Sequence, residues 1–402
     1  MFRRKEENRM DRQEQFGVYV PTRWLFGNGQ LNHLHESALP GKKALVVISK
    51  GKSTRTNGYL DRTLEELHAA GIETAVFDQV EANPLKETAM AGGRAARAAG
   101  ADFLVALGGG SVMDCTKAIA IMAVNPGDLW DYVMSGTGKR QPLAAKPLPI
   151  VAVTTTAGTG SEVDCGGVIS NPETKEKVGI VFPELFPVLS IVDPELMATV
   201  PPRFTAYQGF DALFHSTECY ISRMANLMSD MVAREAIGNV GTYLSRAVAD
   251  GSDKEAREHV AFANTLSGYS MMTSCCTSEH SIEHAMSAYH WELPHGAGLI
   301  MISLAYYRYF IEADVRGRRF VEMAKLLGKT DAEKPEDFLT ALHDLQQACG
   351  VDHLKMSDYG ITPDEFPAMA KNAKETMGKL FEADPAELDE AGIVRILTES
   401  YR

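Results

Sequence analysis

Between residues 43 and 193 the chain alternates two kinds of pattern. Short apolar, β-branched runs recur: KALVVI (43–48), ETAVF (73–77), DFLVAL (102–107), LPIVAV (148–153) and LSIVD (189–193). Apolar runs of this length, bounded by turn residues, read as strands buried on both faces. Helix-period stretches lie between them: GYLDRTLEELHAA (58–70), LKETAMAGGRAARAAG closing on Gly100, and GGGSVMDCTKAIAIMAV (108–124). Strand, helix, strand in this rhythm predicts βαβ units, a largely parallel sheet and right-handed crossovers with helices on both faces.

After PPRF (201–204) the pattern changes. TAYQGFDALFHSTECYIS, DMVAREAIGNVGTYLSRAV, EHVAFANTLSGYSMMTS, AGLIMISLAYYRYFI, RFVEMAKLLG and PEDFLTALHDLQQACG all carry helical spacing, and strand signals vanish. Pro201-Pro202 marks the hinge. The expected fold is α/β plus all-α: an N-terminal Rossmann-like domain over 16–200, then a helical domain over 201–402. A charged tail, MFRRKEENRMDRQEQ, precedes them and reads as solvated.

Composition narrows the classes. The chain has 402 residues, enough for two cores, with 45% hydrophobic and 23% charged residues. The formal net charge is −13, which speaks against a nucleic-acid or acidic-membrane partner. No apolar run is long enough to cross a bilayer. Six cysteines form no CxxC pair, so reduced thiols in a cytoplasmic protein are expected. The tail lacks the apolar stretch of a secretory signal.

Two loops invite a phosphorylated ligand. Gly108, Gly109 and Gly110 follow a strand and open a helix, so backbone N–H groups and the helix dipole face one space. Ser111 can cap that helix, with Asp114 in its first turn. TTTAGTGSE (154–162) offers hydroxyls and bare backbone at the end of the next strand, the edge where open α/β sheets bind ligands.

The histidines are the sharper signal. SEHSIEHAMSAYHWELPHGAGL (278–299) holds four of the chain's 11. Asp211 and His215 stand one helical turn apart, as do His280 and His284. Asp211, His215, one or both of His280 and His284, and His295 can close one oxygen–nitrogen site suited to Fe²⁺ or Zn²⁺. His290 reads as a loop residue.

GGGSVMDCTKAIA, TTAGTGSE, VDPELMATVPPRFTAYQGFDALFHSTECY and EHSIEHAMSAYHWELPHG, in this order, resemble the signatures of the iron-dependent (group III) alcohol dehydrogenases. The resemblance spans nearly the whole chain. It implies a metal in the cleft between the two domains, bound by Asp211, His215, His280 and His295. His284 then resembles the histidine facing substrate and nicotinamide, a catalytic proton relay. Gly109, Gly110, Ser111 and Asp114 resemble the pyrophosphate site. Thr155, Thr156 and Thr159 resemble residues around the nicotinamide half, Lys177 a lysine reaching its ribose, and Asn83 the family's NP turn. The segment between His284 and His295 is one residue longer than the commonest family pattern.

Where NAD-preferring members often carry an acid, Ser49 stands here, with Lys50, Lys52 and Arg55 nearby. Serine and cations would accept a 2′-phosphate, so an NAD(P) site open to NADP is expected. The implied activity is hydride transfer between the nicotinamide and a short-chain primary alcohol or aldehyde, in a homodimer or higher homo-oligomer. Phe210, Phe214 and Trp291 are candidate lining of an apolar pocket. The alternatives are a glycerol-dehydrogenase-like polyol oxidoreductase or a dehydroquinate-synthase-like lyase. A metal-dependent phosphohydrolase, for which His343-Asp344 supplies an HD dipeptide, or a metal-binding scaffold without activity is more distant.

Overall fold

The computed structural model describes residues 12–402, so most of the charged tail, residues 1–11, lies outside the described residues. Six strands form the main sheet: β1 (Arg23–Phe26), β2 (Lys43–Ser49), β3 (Glu73–Val80), β4 (Phe103–Gly108), β5 (Ile150–Thr154) and β8 (Leu189–Val192). Their order is β1-β8-β5-β4-β2-β3 and every pairing is parallel. β6 (Gly166–Asn171) and β7 (Glu176–Val181) make a separate antiparallel hairpin. The helices that belong to this half are α1 (Ser53–Thr56), α2 (Tyr59–Ala69), α3 (Lys86–Ala99) and α4 (Gly110–Met122).

The predicted strands bury both faces. Leu45, Val47, Leu104, Ala106, Ile150 and Ala152 meet α3 and α4 through Ala89, Ala96, Val112 and Ile119. Their neighbours Ala44, Val46, Ile48, Val105, Leu107, Val151 and Val153 pack on Leu31, Leu34, Leu60 and Leu67. Alternate side chains of one strand therefore serve two cores, which is why the runs are continuously apolar. The chain goes from β2 out to β3 and then crosses to β4 on the other side of β2. That reversal opens a crevice between the C-terminal ends of β2 and β4.

From Pro202 on, the structure is helical: α5 (Pro202–Ile221), α6 (Leu227–Ala249), α7 (Lys254–Thr273), α8 (Ser278–Tyr289), α9 (His295–Glu312), α10 (Gly317–Leu326), α11 (Asp337–Ala348), α12 (Phe366–Glu382) and α13 (Glu390–Ser400). Pro202 occupies the first turn of α5, where a missing N–H costs nothing. α5 is buried all round from Gly209 to Ile221 and forms the axis of this half. No helix among the described residues is long and apolar enough to cross a membrane.

Within the chain, Arg23–Phe26 is the strand of the 16–29 stretch, and it adds to the edge of the sheet parallel to β8. One expectation needs correcting. Phe210 and Phe214 belong to the helical core rather than to pocket lining: both are fully buried and packed on each other, with Phe214 also against Tyr307.

Candidate metal and nucleotide site

The glycine loop begins the site. α4 starts at Gly110 with Gly109 as its N-cap, and no side chain caps it. Ser111 is thus one residue inside the helix rather than its cap. The first N–H groups of α4 are left to a ligand. A side chain at Gly109 would collide with Thr156, and one at Gly110 with Thr159. The two polar loops therefore touch, and their contact requires bare backbone. Asp114 turns away from the loop: it accepts the Ser161 hydroxyl at 2.8 Å and the Val168 N–H at 2.9 Å. Burial pushes its carboxyl up to about 6, against the pull of Lys117.

The threonine loop then reaches the helical half. Gly160 (φ 63°) lies against the backbone of Gly268 on α7, and its N–H donates to Asn264 Oδ1 at 2.8 Å. Buried Glu162 accepts from Asn264 Nδ2 at 2.8 Å and Thr265 Oγ1 at 2.7 Å. The Gly158 carbonyl lies 3.3 Å from His215 Nδ1.

There the expected metal residues gather. Asp211 Oδ1 is 3.3 Å from His280 Nε2, 3.5 Å from His295 Nε2 and 3.5 Å from His215 Nδ1. Two ligands each about 2.1 Å from one ion, at a tetrahedral angle, lie about 3.4 Å apart. Asp211, His280 and His295 form a trio whose ligating atoms all fall within 4.8 Å. His215 stacks on His280, ring centroids 4.2 Å apart, and its trio is instead with His280 and Cys276. α8 ends at Tyr289, a short loop follows, and α9 begins on His295 itself.

Behind two of these rings stand buried carboxylates. Glu218 pairs with Nδ1 of His280, and Glu283 with Nδ1 of His295. Each leaves Nε2 turned to Asp211, the tautomer and orientation a metal needs. Lys177 Nζ is 3.2 Å from Glu283 and only 5% exposed, so it is directed to the metal residues. Burial would raise Asp211, but His215, His295 and His280 hold it well below the usual carboxylate range. Burial alone would lower His280; Glu218 and Asp211 raise it well above the imidazole range instead. His215 is pushed down to about 3 by burial, despite Asp211. Protonated imidazoles thus supply charge that a divalent cation would replace on binding. The donor set fits such an ion.

His284 is different. It is 4% exposed, and its Nδ1 has no hydrogen-bond partner. Burial, then Lys177 and His295, hold it well below the usual imidazole range. Asn83, with φ 51°, donates from Nδ2 to the Trp291 carbonyl at 3.1 Å, tying the strand-rich half to the loop after α8. Trp291 itself is exposed, and His290 pairs with Glu365 at 3.0 Å. Ser49 ends β2, with exposed Lys50 and Lys52 following. Arg55 is bound to Asp78 at 2.7 Å. His343 and Asp344 sit on α11 and join none of the three metal-capable clusters among the described residues.

Sequence reasoning missed Glu218 and Glu283. Glu218 stands three residues past His215 and Glu283 three past His280, yet each pairs with a histidine of another helix, His280 and His295, which spacing along one helix does not reveal.

Known proteins share this architecture. Residues 21–194 match the model for the iron-containing alcohol dehydrogenases, and 205–401 match that for the C-terminal part of the Fe-containing alcohol dehydrogenase family. The chain is 37% identical to 1,3-propanediol dehydrogenase of Klebsiella pneumoniae over 396 residues, 96% of this chain and 99% of that one. It is 32% identical to a probable NADH-dependent butanol dehydrogenase of Bacillus subtilis, covering 90% and 93% of the two chains. The crystal structure of an alcohol dehydrogenase from an archaeal halo-thermophile of a Red Sea brine pool superposes with a TM-score of 0.90 at 32% identity, over 96% and 99% of the chains. The chain belongs to the iron-containing alcohol dehydrogenase family and is a metal-dependent, NAD(P)-linked alcohol dehydrogenase.

Proposed function

We propose that Asp211, His215, His280 and His295 hold one Fe²⁺ or Zn²⁺ ion, and that NAD(P) lies along Gly109, Gly110, Ser111, Thr155, Thr156 and Thr159. The substrate we assign is a short-chain primary alcohol or diol and its aldehyde, the class named for the propanediol and butanol relatives. One observation carries this reading: a single carboxylate oxygen, Asp211 Oδ1, has a nitrogen of each of three imidazoles within 3.5 Å. When bound, the metal supplies Lewis acidity at the substrate oxygen and the nicotinamide supplies the hydride acceptor.

The chain's own residues do the rest. Glu218 and Glu283 fix the tautomers of His280 and His295. Lys177 holds Glu283 in place, so its part is to position His295; reaching the ribose would mean leaving Glu283. His284 takes the substrate proton at Nδ1 and passes it on, since that atom is buried and uncommitted. Asp114 braces α4 against β6 from behind the phosphate loop. Ser49, at the C-terminal end of β2 beside the crevice, faces the adenosine ribose with Lys50 and Lys52 as cations for a 2′-phosphate. The test is chelator stripping and reconstitution with Fe²⁺ or Zn²⁺, followed by NADH and NADPH consumption with a panel of short aldehydes. Metal-restored turnover is expected; no turnover with either nucleotide after reconstitution overturns the reading.

A further inference from the structure

The second metal-capable trio stands outside this scheme. One ligating atom each from His215, Cys276 and His280 fall within 4.8 Å of one another, and all three residues are buried. Cys276 lies two residues before α8, and it is hydrogen-bonded to Cys219 on α5, one turn beyond His215. The Cys276 sulfur thus adjoins the stacked imidazoles, with Cys219 as its neighbour. No carboxylate belongs to this trio, whereas Asp211 is the hard oxygen of the first.

We propose that Cys276, His215 and His280 form an alternative, soft coordination site for a strongly thiophilic divalent cation of the Cd²⁺ kind. Thiolate with imidazole selects these ions over harder ones. On binding, the Sγ–H bond breaks, its proton leaves to solvent, and a metal–sulfur bond forms; no electron is transferred. Burial disfavours a bare thiolate, so the sulfur ionises only with the cation. The soft site shares His215 and His280 with the proposed catalytic set, so one ion excludes the other. A cation held by Cys276 leaves Asp211 and His295 without their ion, which makes the site a metal-selective brake. The inference uses the ring positions of the proposed function but is read out without turnover.

The experiment is cadmium titration of the chelator-stripped enzyme, following the ultraviolet thiolate-to-metal charge-transfer band. Wild type and C275S are expected to show the band and C276S to lose it, with far-ultraviolet circular dichroism verifying that each is folded. H295A, which removes a proposed catalytic ligand only, is expected to keep it. A cadmium-113 resonance of the wild-type protein in the thiolate–imidazole range supports the site independently of any variant. A resonance in the oxygen–nitrogen range, no band in wild type, or a band that persists in C276S overturns it. Failure of metal-restored turnover leaves the band untouched, so the two readings fail separately.

Discussion

Lys177 and Glu283, 106 positions apart, meet in a buried ion pair 3.2 Å long, and the same glutamate oxygen grips His295. A hairpin strand, β7, is thereby wired to a helix of the other half. E283Q keeps the shape but weakens the acceptor. Metal affinity is expected to fall on the order of 10–100-fold, as for other lost carboxylate partners of metal-bound histidines. Chelator competition measures it. E283A leaves a buried ammonium alone and should cost about 3–5 kcal/mol in urea unfolding. Equal metal affinity in E283Q and wild type would falsify this role.

His284→Ala removes the uncommitted Nδ1 while sparing the four proposed ligands. Bound metal is expected to stay stoichiometric, and kcat to drop about 10²-fold or more. Elemental analysis beside steady-state kinetics separates the two effects. Loss of metal together with activity would instead make His284 a structural member of the site.

Bare backbone at Gly110 lets Thr159 sit on the start of α4. G110A should overpack that contact, costing about 1–3 kcal/mol of stability and raising the KM for the nucleotide. Adding Thr159→Ala relieves that clash and is expected to restore part of the melting temperature but not the KM, because Thr159 is itself a proposed nucleotide contact. Full recovery of both would dissociate the glycine from the ligand.

Ser49 is expected to set the tolerance for a 2′-phosphate. S49D should lower kcat/KM for NADPH at least about tenfold and leave NADH little changed, because a carboxylate accepts a ribose hydroxyl and repels a phosphate. D78N frees Arg55 from its 2.7 Å partner and should push the ratio the other way. Unchanged ratios in both variants would remove this end of β2 from the cofactor site.

The buried Asp114 carboxyl, at about 6, lies above its unfolded value of about 4. The folded state therefore keeps its proton longer. Stability from this group is present below pH about 4 and is lost as pH rises through about 6, then stays flat. D114N, which mimics the protonated form, should gain on wild type across that window. Melting temperatures of the pair from pH 4 to 8 test it; a constant difference rejects it.

The sheet was legible because its strands are buried on both faces and so carry uninterrupted apolar runs. The β6–β7 hairpin escaped: Gly166, Gly167 and Gly179 dilute its signal, and glycine weakens any strand pattern. Phe210 and Phe214 could not be assigned to pocket or core, since a helix buried all round has no polar face to orient it. The histidines that gather on Asp211 were legible from spacing and resemblance together. Their carboxylate partners were not, because acids beside histidines on helices are common at surfaces. Only the fold makes Glu218 and Glu283 solvent-free.

The segment from Thr154 to Glu162 begins as a strand end of the sheet yet fastens to α5 and α7 through Gly158, Gly160 and Glu162. Those few residues act as a fixed gauge between the two reactant halves. Rocking of one half against the other would have to break these hydrogen bonds and the Asn83–Trp291 tie at the rim as well. The distance between sheet edge and helices is thereby set by one short connector rather than by the bulk of either core.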